Sequence, residues 1–215
     1  MEKKSIDLKL YAITDERWLS GRTLEEQVLG LIEGGITCLQ YRDKESNDED
    51  KKEKAINIRK LCKMKGITFI LNDDVLLAKE IDADGVHLGQ QDINPKEARK
   101  ILGEHRIIGV SARTKELAQE AEQRGADYIG CGAVFGTNTK DDAKFLGIEA
   151  LKEICNSVDL PVVAIGGITS ENISKLQGSG IAGVAVVSEL FSATNPQKVA
   201  RLLTTQMDQL KKGGR

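Results

Sequence analysis

Short apolar runs alternate with helical patterns along the chain. Leu8-Lys9-Leu10-Tyr11-Ala12-Ile13-Thr14 reads as a strand, and Leu24, Val28, Leu31 and Ile32 then recur at helical spacing until Gly34-Gly35 stops them. The same unit repeats. Strands are predicted from Cys38 to Arg42, Thr68 to Leu71, Gly85 to Gly89, Ile107 to Val110, Tyr128 to Phe135, Pro161 to Ile165 and Gly183 to Val187. Between them lie helical stripes such as Ala55, Ile58, Leu61 and Cys62, or Leu117, Ala118 and Ala121, and Val199, Leu202, Leu203 and Leu210 mark a last helix. Asp74 and Thr114 read as helix openings, as does Asn94, which stands before Pro95.

Eight strand-helix units at roughly 25-residue spacing predict a single (β/α)₈ TIM barrel over residues 1–215. An open doubly wound sheet is the alternative, but no GxGxxG follows the first strand. With three prolines and no Ser/Pro-rich tract, no linker divides the chain.

The 31 Lys+Arg against 33 Asp+Glu leave a net charge of −2, which offers no global field for nucleic acid or an anionic membrane surface. A bound anion must therefore be held by a local cluster. The charged start, Met1 to Ser5, lacks the apolar segment of a signal peptide, and no apolar stretch of about eighteen residues occurs, so a cytoplasmic location without membrane partners is expected. Cys38, Cys62, Cys131 and Cys155 have no CxxC spacing and read as small buried hydrophobes.

In such a barrel the chemistry belongs at the C-terminal strand ends. Gln40, Arg42 and Lys44 alternate onto one face of the second strand and form a seat for an anion. Asp73 and Asp92 follow strands three and four, whose backbones lie ~4.8 Å apart, so they can share one hard cation, for which Mg²⁺ is suited. Each could instead cap a loop or helix. Gly166-Gly167, together with the end of strand eight at Val187-Ser188, reads as a second anion corner in which backbone N–H groups and a helix N-terminus approach a phosphate. His87, inside a strand, and His105, in a turn, read as satisfied or solvated imidazoles and not as catalytic ones.

Tyr11-Ala12-Ile13-Thr14-Asp15, Gln40 to Lys44, Asn72-Asp73-Asp74, Asp84 to Gln90, Gly109-Val110-Ser111, Gly132 to Phe135, Thr137 to Lys140, Ile165 to Ile168 and Val186-Val187-Ser188 recur in an order and spacing that resemble the thiamine phosphate synthase family. The resemblance implies a transferase of thiamine biosynthesis. Its partners would be two small phosphorylated heterocycles, a hydroxymethylpyrimidine diphosphate and a thiazole phosphate, joined with release of pyrophosphate.

The resemblance further implies that Gln40, Tyr41, Arg42, Asp43, Lys44, Asn72, Ser111 and Lys140 form the pyrimidine diphosphate site, with Arg42, Lys44, Ser111 and Lys140 acting on the leaving group. Thr137, Asn138, Thr139, Gly167, Val187 and Ser188 would hold the thiazole phosphate, and Asp73 and Asp92 one Mg²⁺ per subunit. Asp43 stands where the family usually has Glu, on the face opposite the anion seat, and little effect is expected. Gly136 stands where Pro is frequent, which should loosen the loop carrying Thr137 and Lys140. A thiazole tautomerase of the same family is a rival reading, but it relies on His where this chain has Arg113. A non-catalytic phosphate-binding barrel is another. A homo-oligomer is compatible with the sequence, which does not specify the assembly.

Overall fold

In the computed structural model, which describes residues 6–19, 21–136 and 145–212, each predicted apolar run enters a parallel strand. The strands are β1 (Leu10–Ile13), β2 (Cys38–Tyr41), β3 (Thr68–Asn72), β4 (Gly85–Leu88), β5 (Ile107–Ser111), β6 (Tyr128–Gly132), β7 (Val162–Ile165) and β8 (Gly183–Val186), hydrogen-bonded in sequence order, with β8 closing on β1. The fold is a closed (β/α)₈ barrel.

Helices α1 (Leu24–Gly34), α2 (Asp48–Lys65), α3 (Val75–Glu80), α4 (Pro95–Leu102), α5 (Lys115–Gln123), α6 (Ile148–Cys155), α7 (Ser188–Phe191) and α8 (Pro196–Lys212) complete the chain. The predicted openings hold. The Asp74 carboxylate accepts the Leu77 N–H, the Asn94 side chain accepts that of Lys96, and Thr114 accepts that of Leu117. Two elements differ from expectation. Strand six ends at Gly132 and not at Phe135, and β7 is followed by a four-residue 3₁₀ turn, Ile173–Leu176, before β8 begins.

All four residues of β1 are buried, because alternate side chains fill two different cores. Tyr11, Ile13, Cys38, Ile70, Tyr128 and Val163 pack together inside the barrel. Leu10, Ala12, Leu39, Phe69 and Leu71 face outward against helical residues such as Val28, Ile58 and Ala78. Three of the four cysteines are fully buried, as small hydrophobes should be, and all four are free thiols.

Candidate active site

Parallel strands in one closed ring all present their C-terminal ends to the same side, which is why residues from distant parts of the chain meet there. A pocket opens at that end. Gln40 and Arg42 reach it from β2, Asn72 and Asp73 from β3, His87 and Gly89 from β4, Ser111 from β5 and Val187 from β8.

Asp73 lines one wall, and Asp92 contacts it from outside the pocket lining. Asp73 has a left-handed backbone (φ 63°), and its N–H bonds to the His87 carbonyl at 2.9 Å, which ties the end of β3 to β4. The Lys44 ammonium donates to Asp73 Oδ2 at 2.6 Å. Asp92 turns back to accept the Gly89 N–H at 2.7 Å and lies against the Asp73 carboxyl. Burial and the Asp73 charge raise the Asp92 pKa above its ordinary value, although the Gly89 N–H opposes them. Burial also acts to raise Asp73, but the Lys44 ammonium and the hydrogen bond with Asp92 outweigh it and keep that carboxyl below the usual range. Two carboxylates that resist ionising side by side suit a divalent cation, which removes the repulsion. Among the described residues no cluster of three or more His, Cys, Asp and Glu is placed for a metal, so a hard cation here would complete its shell with water or substrate oxygen.

The glycine corner stands across the barrel. Gly166 and Gly167 have φ of 98° and 66°, and a Cβ at Gly166 would lie 2.5 Å from Ala133 Cβ. No larger residue fits there. The Asn172 amide donates to the Gly167 carbonyl at 2.8 Å and its oxygen accepts the Thr169 N–H at 2.9 Å, so the loop is braced from beneath. The helix that opens at this corner is α7, at Ser188, and not a helix after β7.

Below the charged rim runs a row of hydrogen bonds among side chains inside the barrel. The Gln40 amide donates to the Tyr11 hydroxyl at 2.9 Å, the Tyr11 and Tyr128 hydroxyls are 2.8 Å apart, and Tyr128 lies 2.9 Å from His87 Nδ1. His87 Nε2 is 2.9 Å from Ser111 Oγ. The imidazole is thus satisfied, as expected, but its partner is a residue of the candidate site. Tyr11 and Tyr128 were not anticipated as part of the site, since an aromatic residue in an apolar strand looks like core.

Of the residues taken from the family pattern, Gln40, Arg42, Asn72, Asp73 and Ser111 converge on the pocket, Val187 borders it, and Lys44 joins through Asp73. Tyr41 and Asp43 do not. Tyr41 is 1% exposed within the outer core, because it alternates to the face opposite Gln40. Asp43 closes a turn by accepting the N–H groups of Glu45 and Ser46 and the Tyr41 hydroxyl, each at 3.0 Å. Thr137, Asn138, Thr139 and Lys140 lie outside the described residues.

Comparisons with known proteins point to one family. The family described as thiamine monophosphate synthase matches residues 10–190. The thiamine-phosphate synthase of Clostridium acetobutylicum is 44% identical over 200 residues, covering 93% of this chain and 95% of the relative, and that of Clostridium botulinum is 42% identical over 208 residues, covering 97% and 98%. The thiamine phosphate pyrophosphorylase structure from Pyrococcus furiosus superposes with a TM-score of 0.88 at 38% identity, covering 95% of this chain and 97% of that one. With a family match across most of its length and relatives matched nearly end to end, the chain belongs to the thiamine monophosphate synthase family.

Proposed function

We propose that this protein is a thiamine phosphate synthase, coupling hydroxymethylpyrimidine diphosphate with thiazole phosphate to give thiamine phosphate and pyrophosphate. The observation that carries the reading is the convergence of Arg42, Asn72, Asp73 and Ser111 on one pocket whose far side borders the Val187 turn. Each side would, in this reading, take one anionic group.

In this reading the thiazole nitrogen supplies the lone pair that forms the new C–N bond, while the bond from the pyrimidine methylene to the diphosphate oxygen breaks and the electron pair leaves with pyrophosphate. No nucleophile or base from the protein is needed. The task left to the chain is to stabilise a leaving trianion. Arg42 and Lys44 supply cations, Ser111 a hydroxyl donor, and Lys140 is assigned the same role by the family pattern. Asp73 and Asp92 would hold one Mg²⁺ per subunit, which when bound neutralises part of the diphosphate charge. Lys44, now on Asp73, is within reach of the same wall, so it can exchange one anionic partner for another as substrate enters.

Gly167, Val187 and Ser188, with Thr137, Asn138 and Thr139 by the family pattern, would take the thiazole phosphate. Among the described residues no helix is long and apolar enough to cross a membrane, and the reading keeps a cytoplasmic location with small-molecule partners. The test is release of pyrophosphate when the two phosphorylated heterocycles and Mg²⁺ are mixed with the protein. Release that requires all three supports the reading, and the absence of release overturns it.

A further inference from the structure

The hydroxyls and ring nitrogens between Gln40 and Ser111 form a connected string, and their protons can be counted. Each tyrosine has one hydroxyl proton, which burial keeps in place by raising both phenol pKa values well above normal. The Gln40 amide is a donor to Tyr11, so the Tyr11 oxygen is already an acceptor there. Its own proton then has two places to go, the Tyr128 oxygen at 2.8 Å or the neighbouring Cys38 thiol.

The two choices set opposite directions for the whole string. If Tyr11 donates to Tyr128, then Tyr128 donates to His87 Nδ1, His87 carries its proton on Nε2 and donates to Ser111 Oγ, and the Ser111 proton is turned out to the pocket. If Tyr11 donates to Cys38, every later bond reverses, Ser111 is consumed by His87, and one buried hydroxyl is left with a sulfur acceptor. Sulfur is the weaker acceptor, whereas an outward Ser111 proton still meets water or ligand. The first direction keeps the stronger set.

The backbone is shaped to hold these rings. A Cβ at Gly109 would lie 2.1 Å from Tyr128 Cζ, and one at Gly130 would lie 2.9 Å from His87 Cε1. Both rings therefore rest on strand backbone that only glycine leaves bare.

We infer that Tyr11, Tyr128 and His87 are positioning residues that form a one-way hydrogen-bond relay, fixing His87 as the Nε2–H tautomer so that the pocket floor presents a Gln40 carbonyl acceptor and a Ser111 hydroxyl donor. The Gln40 oxygen has no other partner among the described residues and the side chain lines the pocket. The Gln40 acceptor complements the amino group of a 4-aminopyrimidine and opposes the carbonyl of the 4-oxo analogue, while the outward Ser111 proton is the one left for the diphosphate. This selectivity rests on the substrate reading above, but the direction of the relay does not.

The chain has only two histidines, so the tautomer can be read directly. Long-range ¹H–¹⁵N correlation spectra of the ¹⁵N-labelled protein at mildly alkaline pH, assigned with His105→Gln, should show His87 protonated on Nε2 alone. Tyr128→Phe should shift that ring towards a mixture of tautomers. An Nδ1–H ring or a mixed population in the wild type would overturn the relay whatever the enzyme does. In turnover assays Tyr128→Phe should lower kcat/KM for the aminopyrimidine diphosphate roughly tenfold, the worth of about one hydrogen bond, leave the KM for thiazole phosphate unchanged and narrow the preference over the 4-oxo analogue. A correct tautomer with unchanged preference would refute the selectivity and spare the relay. Absence of turnover in the wild type would refute the functional reading alone.

Discussion

Asp43→Asn separates a turn-forming role from a substrate-binding one. The Asp43 side chain is 4% exposed, with Lys54 Nζ 3.8 Å from Oδ2. Burial by itself would raise its pKa, but the N–H groups of Ser46 and Glu45 and the Tyr41 hydroxyl outweigh burial and hold it at about 2, against an ordinary 3.8. A carboxyl depressed in the folded state adds stability that is present above its unfolded pKa and is lost as pH falls through the folded value. The gap between 3.8 and about 2 corresponds to about 2 kcal/mol at neutral pH, and about half of that is gone near pH 3.

Asparagine keeps an oxygen for the two backbone donors, and Tyr41 can accept from its amide, so the substitution removes mainly the charge. The expected outcome is a loss of about 2 kcal/mol for Asp43→Asn at pH 7 that narrows to about 1 kcal/mol near pH 3, with kcat/KM at neutral pH preserved. Urea unfolding of both proteins at several pH values, with equal m-values, measures it. A stability gap that does not change with pH refutes the electrostatic account. Equal stability with a large fall in kcat/KM returns Asp43 to the substrate site.

Asp92→Asn should raise the Mg²⁺ concentration required for activity by at least the roughly tenfold to hundredfold that loss of a supporting residue costs a metal site, while thermal unfolding barely moves; an unchanged Mg²⁺ titration removes Asp92 from the metal site. Lys140→Ala should lower kcat by roughly thirtyfold to a thousandfold, as expected for a cation acting on the leaving group, whereas Ser188→Ala should raise the KM for thiazole phosphate and spare kcat. Steady-state kinetics that change the same parameter equally in both would abolish the division into two anion sites. Gly34→Ala brings a Cβ to 2.5 Å from Ala200 Cβ and 2.6 Å from the Gln197 carbonyl, so it should force α1 from α8 at a cost of about 1–3 kcal/mol without altering kcat; an unchanged melting temperature would contradict that packing.

The barrel could be read from the chain because its two cores impose continuous apolar strands, and because several helices announce themselves with a cap, as at Asp74, Asn94 and Thr114. The departures from expectation have local causes. Ala133-Val134-Phe135 continues the apolar run of β6, and Val134 and Phe135 still donate to the carbonyls of Ile165 and Gly166, yet the chain has left the regular ladder after Gly132. Composition does not distinguish these two kinds of pairing. Tyr41 and Asp43 were carried into the site with their neighbours as a contiguous motif, although strand alternation already assigned them to the other face.

The charged residues expected at the site stand out in the sequence because a cation or carboxylate at a strand end has few other uses. The relay beneath them does not, because tyrosine and histidine within β1, β4 and β6 resemble barrel filling. The sequence does contain a signal for it, in glycine. Gly109 and Gly130 stand inside strands, where glycine gives up packing and backbone order, so each calls for a reason. The strand register supplies it: Gly109 pairs with His87 on one side and Tyr128 on the other, and Gly130 pairs with Ser111. A missing side chain in a closed barrel is space that a neighbouring strand must fill, since the interior has no water-sized gaps to spare. Here two large polar rings fill it, and the hydroxyl they orient is the one at the pocket floor.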